Sequence, residues 1–317
     1  MPFAPRFVDM NGDGIEDLIS GSYNGDSRSM RTRSDGRPRR DENGNWWADI
    51  FIFYGNEKGG FGPRQLLTHA LMNPAAFPVD WDDDGDYDLV TPTWTPGIFE
   101  GDICLMENIG TKTEPKFDYP TALITEEGTA LYSSVVVHDW DGDGLRDLVA
   151  GGYREPAIYF FKNIGTKEKV KFAKRETLIH IPKKRDYFTS KEILGEALHI
   201  HVTDWDGDGV MDILAGDKKM SFQILHSLSP EEQRKVKEAV ARFQSYGKAV
   251  RARSREIYAG VDRNALSEAE KKTLQQKIDS FRLEYLTEYT NYEDDERLRS
   301  LRYQVYSGRI WFFRGVK

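Results

Sequence analysis

One acidic motif of nine residues occurs four times in this chain of 317 residues, and it constrains the fold more than any other feature. The copies are DMNGDGIED from Asp9, DWDDDGDYD from Asp80, DWDGDGLRD from Asp139 and DWDGDGVMD from Asp204, called loops one to four below. All four fit D-x-[DN]-x-D-G-x-x-D, and successive copies begin roughly 60 to 70 residues apart, a period that indicates a repeat architecture.

The pattern places oxygen donors at five positions of each loop. Side chains at positions one, three and five, a backbone carbonyl at position seven and a carboxylate at position nine form a cage for a hard cation. Oxygen-only ligation favours Ca²⁺ over zinc or copper, so the sequence predicts about four Ca²⁺ ions. The predicted ligands are Asp9, Asn11, Asp13, Ile15 and Asp17; Asp80, Asp82, Asp84, Asp86 and Asp88; Asp139, Asp141, Asp143, Leu145 and Asp147; and Asp204, Asp206, Asp208, Val210 and Asp212.

An EF-hand begins with a similar pattern, but two features of this chain exclude it. An EF-hand needs a bidentate Glu at position 12 and a helix on each side of its loop. Position 12 is Ser20, Thr91, Ala150 or Ala215 here. The flanking segments, such as SVVVHD before loop three and DLVAGG from its last residue, are rich in β-branched residues and predict strands.

Each loop is followed by further strand-like segments, which predict an all-β fold. The third strands are ADIFIFYGN, GDICLMENIG, PAIYFFKNIG and GRIWFFRGVK, and fourth strands such as PTALIT and RETLIHI follow in the first three repeats. Four-stranded antiparallel units at this period are typical of a β-propeller with about four blades, the last lacking its fourth strand. A closed ring is the favoured prediction, and an open arc completed by a second copy is the alternative.

The loops, together with the NIGT turns, resemble FG-GAP or VCBS-type repeats, the calcium-bearing blades of integrin α-subunit propellers and of many secreted bacterial proteins. The resemblance covers most of residues 4–217 and the final strand at 308–315. It implies a propeller in which each loop joins strands one and two of a blade. Asn11 replaces the aspartate of the pattern in loop one, and an asparagine is a normal ligand at this position.

The meander places the calcium loops on one face of the propeller and the connections between strands two and three on the other. The first of these connections, residues 24–47, is rich in arginine and ends in two tryptophans. Arginine pairs with carboxylate or sulfate, and tryptophan stacks on sugar rings. The predicted ligand-binding residues on this face are Arg31, Arg33, Arg37, Trp46, Trp47, Trp94, Tyr153 and Arg154.

The last connection, residues 218–307, has a helical pattern, and the predicted propeller therefore comprises residues 1–217 and 308–317. Ser229 with Glu232, and Ser267 with Glu270, form two capping boxes. Apolar residues then recur at helical spacing after each box, which predicts a helical hairpin. Its role as a cover for the propeller or as a partner-binding arm stays open.

These features favour a calcium-stabilised extracellular module that binds a glycan or a protein and is secreted, periplasmic or on the cell surface. A formal net charge of −8 argues against nucleic acid, and no apolar run is long enough for membrane insertion. The sequence contains no recognised catalytic signature, so no catalytic residue is assigned. The alternative is a polysaccharide-active lyase or hydrolase, in which Arg6, His199 and His201 are the candidates. The oligomeric state is left open.

Overall fold

The computed structural model describes residues 2–22, 47–71, 75–93, 103–124, 132–153, 155–167, 169–180, 195–259, 261, 266–288 and 292–315. The chain divides into two compact units. The β unit comprises residues 1–185, 190–219 and 308–317, and the helical unit comprises residues 186–189 and 220–307.

Four antiparallel sheets form four blades, and all their strands lie in the β unit except residues 220–224 and 302–307, which belong to the helical unit. The strands are β1 (Pro2–Val8), β2 (Asp17–Ser22), β3 (Trp47–Phe53) and β4 (Gln65–Leu71) in blade one; β5 (Phe77–Val79), β6 (Asp88–Pro92), β7 (Ile103–Met106) and β8 (Thr121–Ile124) in blade two; β9 (Tyr132–His138), β10 (Asp147–Gly152), β11 (Ala157–Phe161) and β12 (Glu176–His180) in blade three; and β13 (Glu196–Thr203), β14 (Asp212–Ile224) and β15 (Arg302–Phe313) in blade four.

The strand order confirms the predicted all-β meander. Blades one to three have four strands paired in chain order, and blade four has three strands in the order β13-β14-β15 among the described residues. Each acidic loop joins the first and second strands of its blade. This arrangement is that of a four-blade propeller-like fold, and the strands on both sides of each loop confirm that the loops are not EF-hands.

Apolar side chains hold successive blades together along three seams in the described part of the chain. Val8 and Ile50 of blade one pack with Leu89 of blade two, and corresponding clusters join blades two and three and blades three and four. The residue at loop position two contributes to these seams in loops one to three, whereas the equivalent Trp205 of loop four is 67% exposed. Between blades four and one, Arg6 Nη2 donates a hydrogen bond to the Ile200 carbonyl over 3.0 Å.

The helical unit contains three helices in its described residues, α1 (Pro230–Tyr258), α2 (Glu268–Glu288) and α3 (Tyr292–Arg299). The predicted hairpin corresponds to α1 and α2, and Ser229 closes the predicted capping box with Glu232 at the start of α1. The third helix was not predicted. It packs against α1, and the buried Asp295 of α3 accepts two hydrogen bonds from the Arg242 guanidinium, at 2.6 and 2.8 Å.

The strands that flank the helices are longer than the sequence predicts. The predicted final strand covers residues 308–315, but β15 begins at Arg302, and β14 continues to Ile224. None of the helices in the described part of the chain combines the length and the apolar character that crossing a membrane requires.

Candidate metal centres

The backbone of each acidic loop turns through left-handed conformations at positions four and six. Position six is glycine in all four loops, with φ between 81° and 94°, where a Cβ would be strained. Position four is glycine in three loops and Asp83 in loop two, which has φ 63°. Aspartate is one of the few side chains that adopt this conformation at moderate cost. The repeated glycines therefore fix one loop shape in all four blades.

The position-nine aspartates fasten each loop to its blade, and we call them the clamp aspartates. They are Asp17, Asp88, Asp147 and Asp212, and all four are buried. One oxygen accepts a hydrogen bond from the backbone N–H of loop position two, and the other accepts from the backbone N–H of the second residue after the end of the third strand, at distances between 2.7 and 3.0 Å. These second donors, the clamp donors, are Gly55, Asn108, Asn163 and Gly315.

The position-one aspartates organise the other side of each loop. One oxygen of each accepts from the backbone N–H of the position-six glycine, at 2.9 to 3.1 Å. In loops three and four, the second oxygen accepts two further backbone N–H bonds. In loops one and two, Asp9 Oδ1 and Asp80 Oδ1 are buried and have no hydrogen-bond partner among the described residues. The four loops thus share one backbone path but differ in how many hydrogen bonds their position-one carboxylate oxygens accept.

Three of the loops bring carboxylates close enough together to hold a metal ion. Each group offers oxygen atoms that all lie within 4.8 Å of one another. The groups are Asp80, Asp82 and Asp84; Asp139, Asp141 and Asp147; and Asp204, Asp206 and Asp212. In loop one, the Asn11 side chain takes the place of the position-three carboxylate, and its Nδ2 donates to Asp13 Oδ2 over 3.0 Å. The donors in all four loops are oxygens, which suit a hard divalent cation.

The pKa values of the loop carboxylates reflect crowding and burial. The pKa of Asp88 is raised to about 6, mainly by burial and to a smaller extent by the charges of Asp82 and Asp86, although two backbone hydrogen bonds act to lower it. Burial and the charge of Asp84 raise the pKa of Asp86. Burial also raises the pKa of Asp147. Repulsion among these carboxylates destabilises the loops, and a bound cation would neutralise their negative charge.

Basic side chains reach some of the loops. Lys162 Nζ contacts Asp141 Oδ2 and lies 3.0 Å from Asp143 Oδ2, and its hydrogen bond is the main cause of the lowered pKa of Asp143. Arg314 Nη2 lies 2.5 Å from Asp206 Oδ2. These contacts have no signature in the sequence, because they depend on which strand end lies beside which loop.

The clamp donors were also missed by the sequence analysis, because backbone amides carry no side-chain signal. Two of them, Asn108 and Asn163, are the first residues of the NIGT turns, which the sequence does mark. The side-chain oxygen of Asn108 accepts from Gly110 N and Lys116 N, and Asn163 makes the same pair of bonds in blade three. The side-chain oxygen of each asparagine therefore closes the turn, while its backbone N–H donates to the clamp aspartate.

The predicted ligand face is described in part. Trp47 is the first residue of β3, and Tyr153 directly follows β10, so both lie at the ends of their strands opposite the acidic loops. The backbone carbonyl of Tyr153 accepts from Ala197 N over 2.7 Å. Arg31, Arg33, Arg37, Trp46, Trp94 and Arg154 lie outside the described residues.

The residues of the enzymatic alternative come together on β1 and β13, the first strands of blades one and four. Arg6 donates to the carbonyl of Ile200, the residue between His199 and His201, and it lies over the Phe77 ring, 5.3 Å from the centroid. Burial lowers the pKa of Arg6 to about 10. Burial, with a smaller effect of the Arg6 charge, lowers the pKa of His199 to about 4 and also lowers that of His201. Both histidines are therefore neutral at pH 7.

A comparison with known families supports the resemblance stated from the motifs. No curated protein matches the chain. Residues 139–215 match the family model described as FG-GAP-like repeat. The matched segment begins at loop three and ends just after loop four, so it contains two of the four acidic loops and the strands between them. On this match, the segment that contains loops three and four is an FG-GAP-like repeat segment.

Proposed function

We propose that the chain is a calcium-stabilised binding module that works outside the cytosol, as a secreted, periplasmic or cell-surface protein. The observation that carries the proposal is the pair of buried carboxylate oxygens, Asp9 Oδ1 and Asp80 Oδ1, that lack a hydrogen-bond partner among the described residues. A buried charged oxygen without a partner is costly. A cation bound by the loop would supply the missing interaction in both places.

The ion would be held by the oxygens at loop positions one, three, five, seven and nine. Its role is to fasten the turn between the first and second strands of each blade, since it neutralises carboxylates that otherwise repel one another. Such a link between metal binding and folding suits extracellular calcium, since sites of extracellular modules are tuned to ~10⁻⁴ to 10⁻³ M.

The ligand that we propose is a glycan or a protein, bound at the face opposite the acidic loops. Trp47 and Tyr153 support this face, because they stand at the strand ends away from the loops. Aromatic side chains at such a rim offer a flat apolar surface and a polar edge, which suits a sugar ring or a protein hot spot.

The test is binding of the full chain to a glycan array and to extracellular proteins, with calcium and with chelator. We expect binding in calcium that is weakened at least tenfold by Trp47→Ala or Tyr153→Ala. Trp205→Ala is the matched control, because Trp205 is an exposed aromatic residue at the loop end of blade four. Equal losses of affinity in all three variants would contradict the proposal that this face binds the ligand. Binding that survives both Trp47→Ala and Tyr153→Ala would contradict it as well.

A polysaccharide-active lyase or hydrolase is the second candidate, supported by the convergence of Arg6, His199 and His201. A neutral histidine can accept a proton, and an arginine can stabilise a carboxylate of an acidic sugar. The discriminating assay measures new reducing ends and unsaturated products from anionic polysaccharides. Turnover that His201→Asn abolishes favours the enzyme, whereas ligand retention without products favours the binding module.

A further inference from the structure

The residue that directly precedes each clamp donor differs from blade to blade. It is Tyr54 in blade one, Glu107 in blade two, Lys162 in blade three and Arg314 in blade four. In every blade, the next residue donates its N–H to the clamp aspartate. The four side chains therefore start from equivalent backbone positions beside their loops, and only their chemistry varies.

In blades three and four, this side chain is a cation that contacts the loop carboxylates. Lys162 Nζ contacts Asp141 and lies 3.0 Å from Asp143. Arg314 Nη2 lies 2.5 Å from Asp206 and 3.7 Å from Asp208. These carboxylates stand at loop positions three and five, which a divalent ion also needs. Each loop therefore has its own positive charge on two of the metal-ligating groups.

In blades one and two, the equivalent side chain supplies no positive charge. Tyr54 carries an uncharged phenol at pH 7. Glu107 is an exposed anion. The same two loops contain the buried oxygens of Asp9 and Asp80 that have no partner among the described residues. The lack of a cation and the unsatisfied oxygens thus occur in the same pair of loops.

Basic residues do reach loops one and two, but at position four, which contributes no ligand. Lys112 lies against Gly12 of loop one. Arg146 pairs with Asp83 of loop two and donates to the Asp80 carbonyl over 3.0 Å. Lys167 Nζ also lies 3.7 Å from Asp83 Oδ2. Among the described residues, no basic side chain forms an ion pair with the groups at positions three and five of these two loops, which are Asn11, Asp13, Asp82 and Asp84.

We propose that Lys162 and Arg314 are resident counter-cations that compete with the divalent ion, so that the four loops form two affinity classes. Loops one and two bind the ion tightly, and loops three and four bind it weakly. The inference rests on the proposed calcium binding and adds its regulation. When calcium falls, loops three and four release their ions first and keep their charge balance through their own side chains, whereas loops one and two hold theirs down to lower calcium concentrations.

The expected difference follows from the exposure of the two cations. The side chains of Lys162 and Arg314 are 39% and 63% exposed, so solvent screens their ion pairs. Exposed ion pairs are weak, so we expect the two pairs of each cation together to weaken calcium binding by about tenfold, which corresponds to about 1.4 kcal/mol.

The test is calcium binding to the full chain by equilibrium dialysis and by competition with a chromophoric chelator. We expect two tight and two weaker sites in the unmodified chain. Lys162→Met and Arg314→Met should each tighten one weak site by up to about tenfold. Lys169→Met is the matched control, because it removes one exposed positive charge from the same turn as Lys162 and should change affinity far less.

The reverse change tests the same idea in blade two. Glu107→Lys places a cation at the equivalent position and should move one site from the tight class to the weak class. Circular dichroism verifies that each variant is folded. Four equal sites, or tightening by Lys162→Met no greater than by Lys169→Met, would overturn the two classes and leave calcium binding intact. The absence of any bound calcium would instead overturn the proposed function and this inference with it.

Discussion

The β unit and the helical unit each bury an aspartate completely, but they balance its charge in different ways. Asp147 of the β unit accepts backbone N–H bonds from Trp140 and Asn163, at 3.0 and 2.7 Å, and burial raises its pKa. Asp295 of the helical unit accepts two bonds from the Arg242 guanidinium. The first carboxylate depends on dipoles and on neighbouring charges, whereas the second has a full positive charge within its own unit.

This difference indicates which of the two units depends on cations in the surrounding solution. Backbone dipoles orient a carboxylate but leave its negative charge in place, and three further carboxylates of loop three add to it. A bidentate arginine pair neutralises the charge directly. The β unit should therefore respond to cations in solution, and the helical unit should not.

Calcium removal should produce the largest effect, and it should affect one unit alone. A ligand that binds only the folded state stabilises it by about 2.7 kcal/mol per site at a hundredfold excess over Kd, so two tight sites predict a loss of about 5 kcal/mol. The measurement is thermal unfolding with and without chelator, with the helical signal at 222 nm followed beside tryptophan fluorescence. Equal shifts of both signals would contradict the division between the units.

Replacement of a clamp aspartate should have the next largest effect. Asp147→Ala leaves two buried backbone N–H groups without an acceptor, at about 1 to 3 kcal/mol each, so we expect a loss of about 3 kcal/mol in urea unfolding. Asp83→Asn is the control, because Asp83 is exposed at a non-ligand position and asparagine also tolerates its left-handed backbone; Asp143→Ala should fall between the two. A loss in Asp83→Asn as large as in Asp147→Ala would show that the clamp adds no special stability.

The β unit should also lose stability in acid through His199. Its pKa is lowered to about 4 in the folded state by burial and by the Arg6 charge. Because the unfolded chain takes up the proton near pH 6.5, stability is full above that pH and falls as pH decreases towards 4, by about 2 to 3 kcal/mol. His199→Asn should flatten this part of the pH profile measured by urea unfolding, and His180→Asn, at an exposed site, should not. If the free energy of unfolding of His199→Asn depended on pH as it does in the unmodified chain, His199 would not be the source of the acid sensitivity.

The smallest effect should come from the helical unit's own ion pair. Arg242→Met leaves Asp295 buried without its guanidinium, and since Arg242 is 40% exposed we expect a loss of about 2 kcal/mol. The loss should be the same with and without calcium, as judged by the signal at 222 nm. Arg253→Met, which removes an exposed pair with Glu256, should cost less than about 0.5 kcal/mol. If the loss of stability in Arg242→Met depended on calcium, the helical unit would not be independent of cations in solution, and the contrast between the units would be wrong.

The sequence predicts the features of this fold that require particular side chains at fixed offsets. The loop pattern marked the turns between first and second strands, and the capping box at Ser229 marked the start of α1. It did not predict α3, whose sequence YEDDERLR has no apolar stripe and whose anchor to Arg242 spans 53 positions. The contacts of Lys162 and Arg314 were missed for the same reason, since they are set by strand pairing rather than by local sequence.

The clamp of blade four has a consequence for the order in which the molecule folds. Asn163 and Asp147 are separated by 16 positions, whereas Gly315 and Asp212 are separated by 103. Closing the longer loop costs about 1.6 kcal/mol more in chain entropy if the intervening segment is unstructured. Helices that form early within this segment shorten the effective distance, because local contacts form faster than distant ones. We therefore expect folding of the insertion to speed the pairing of the two strands that complete the last blade.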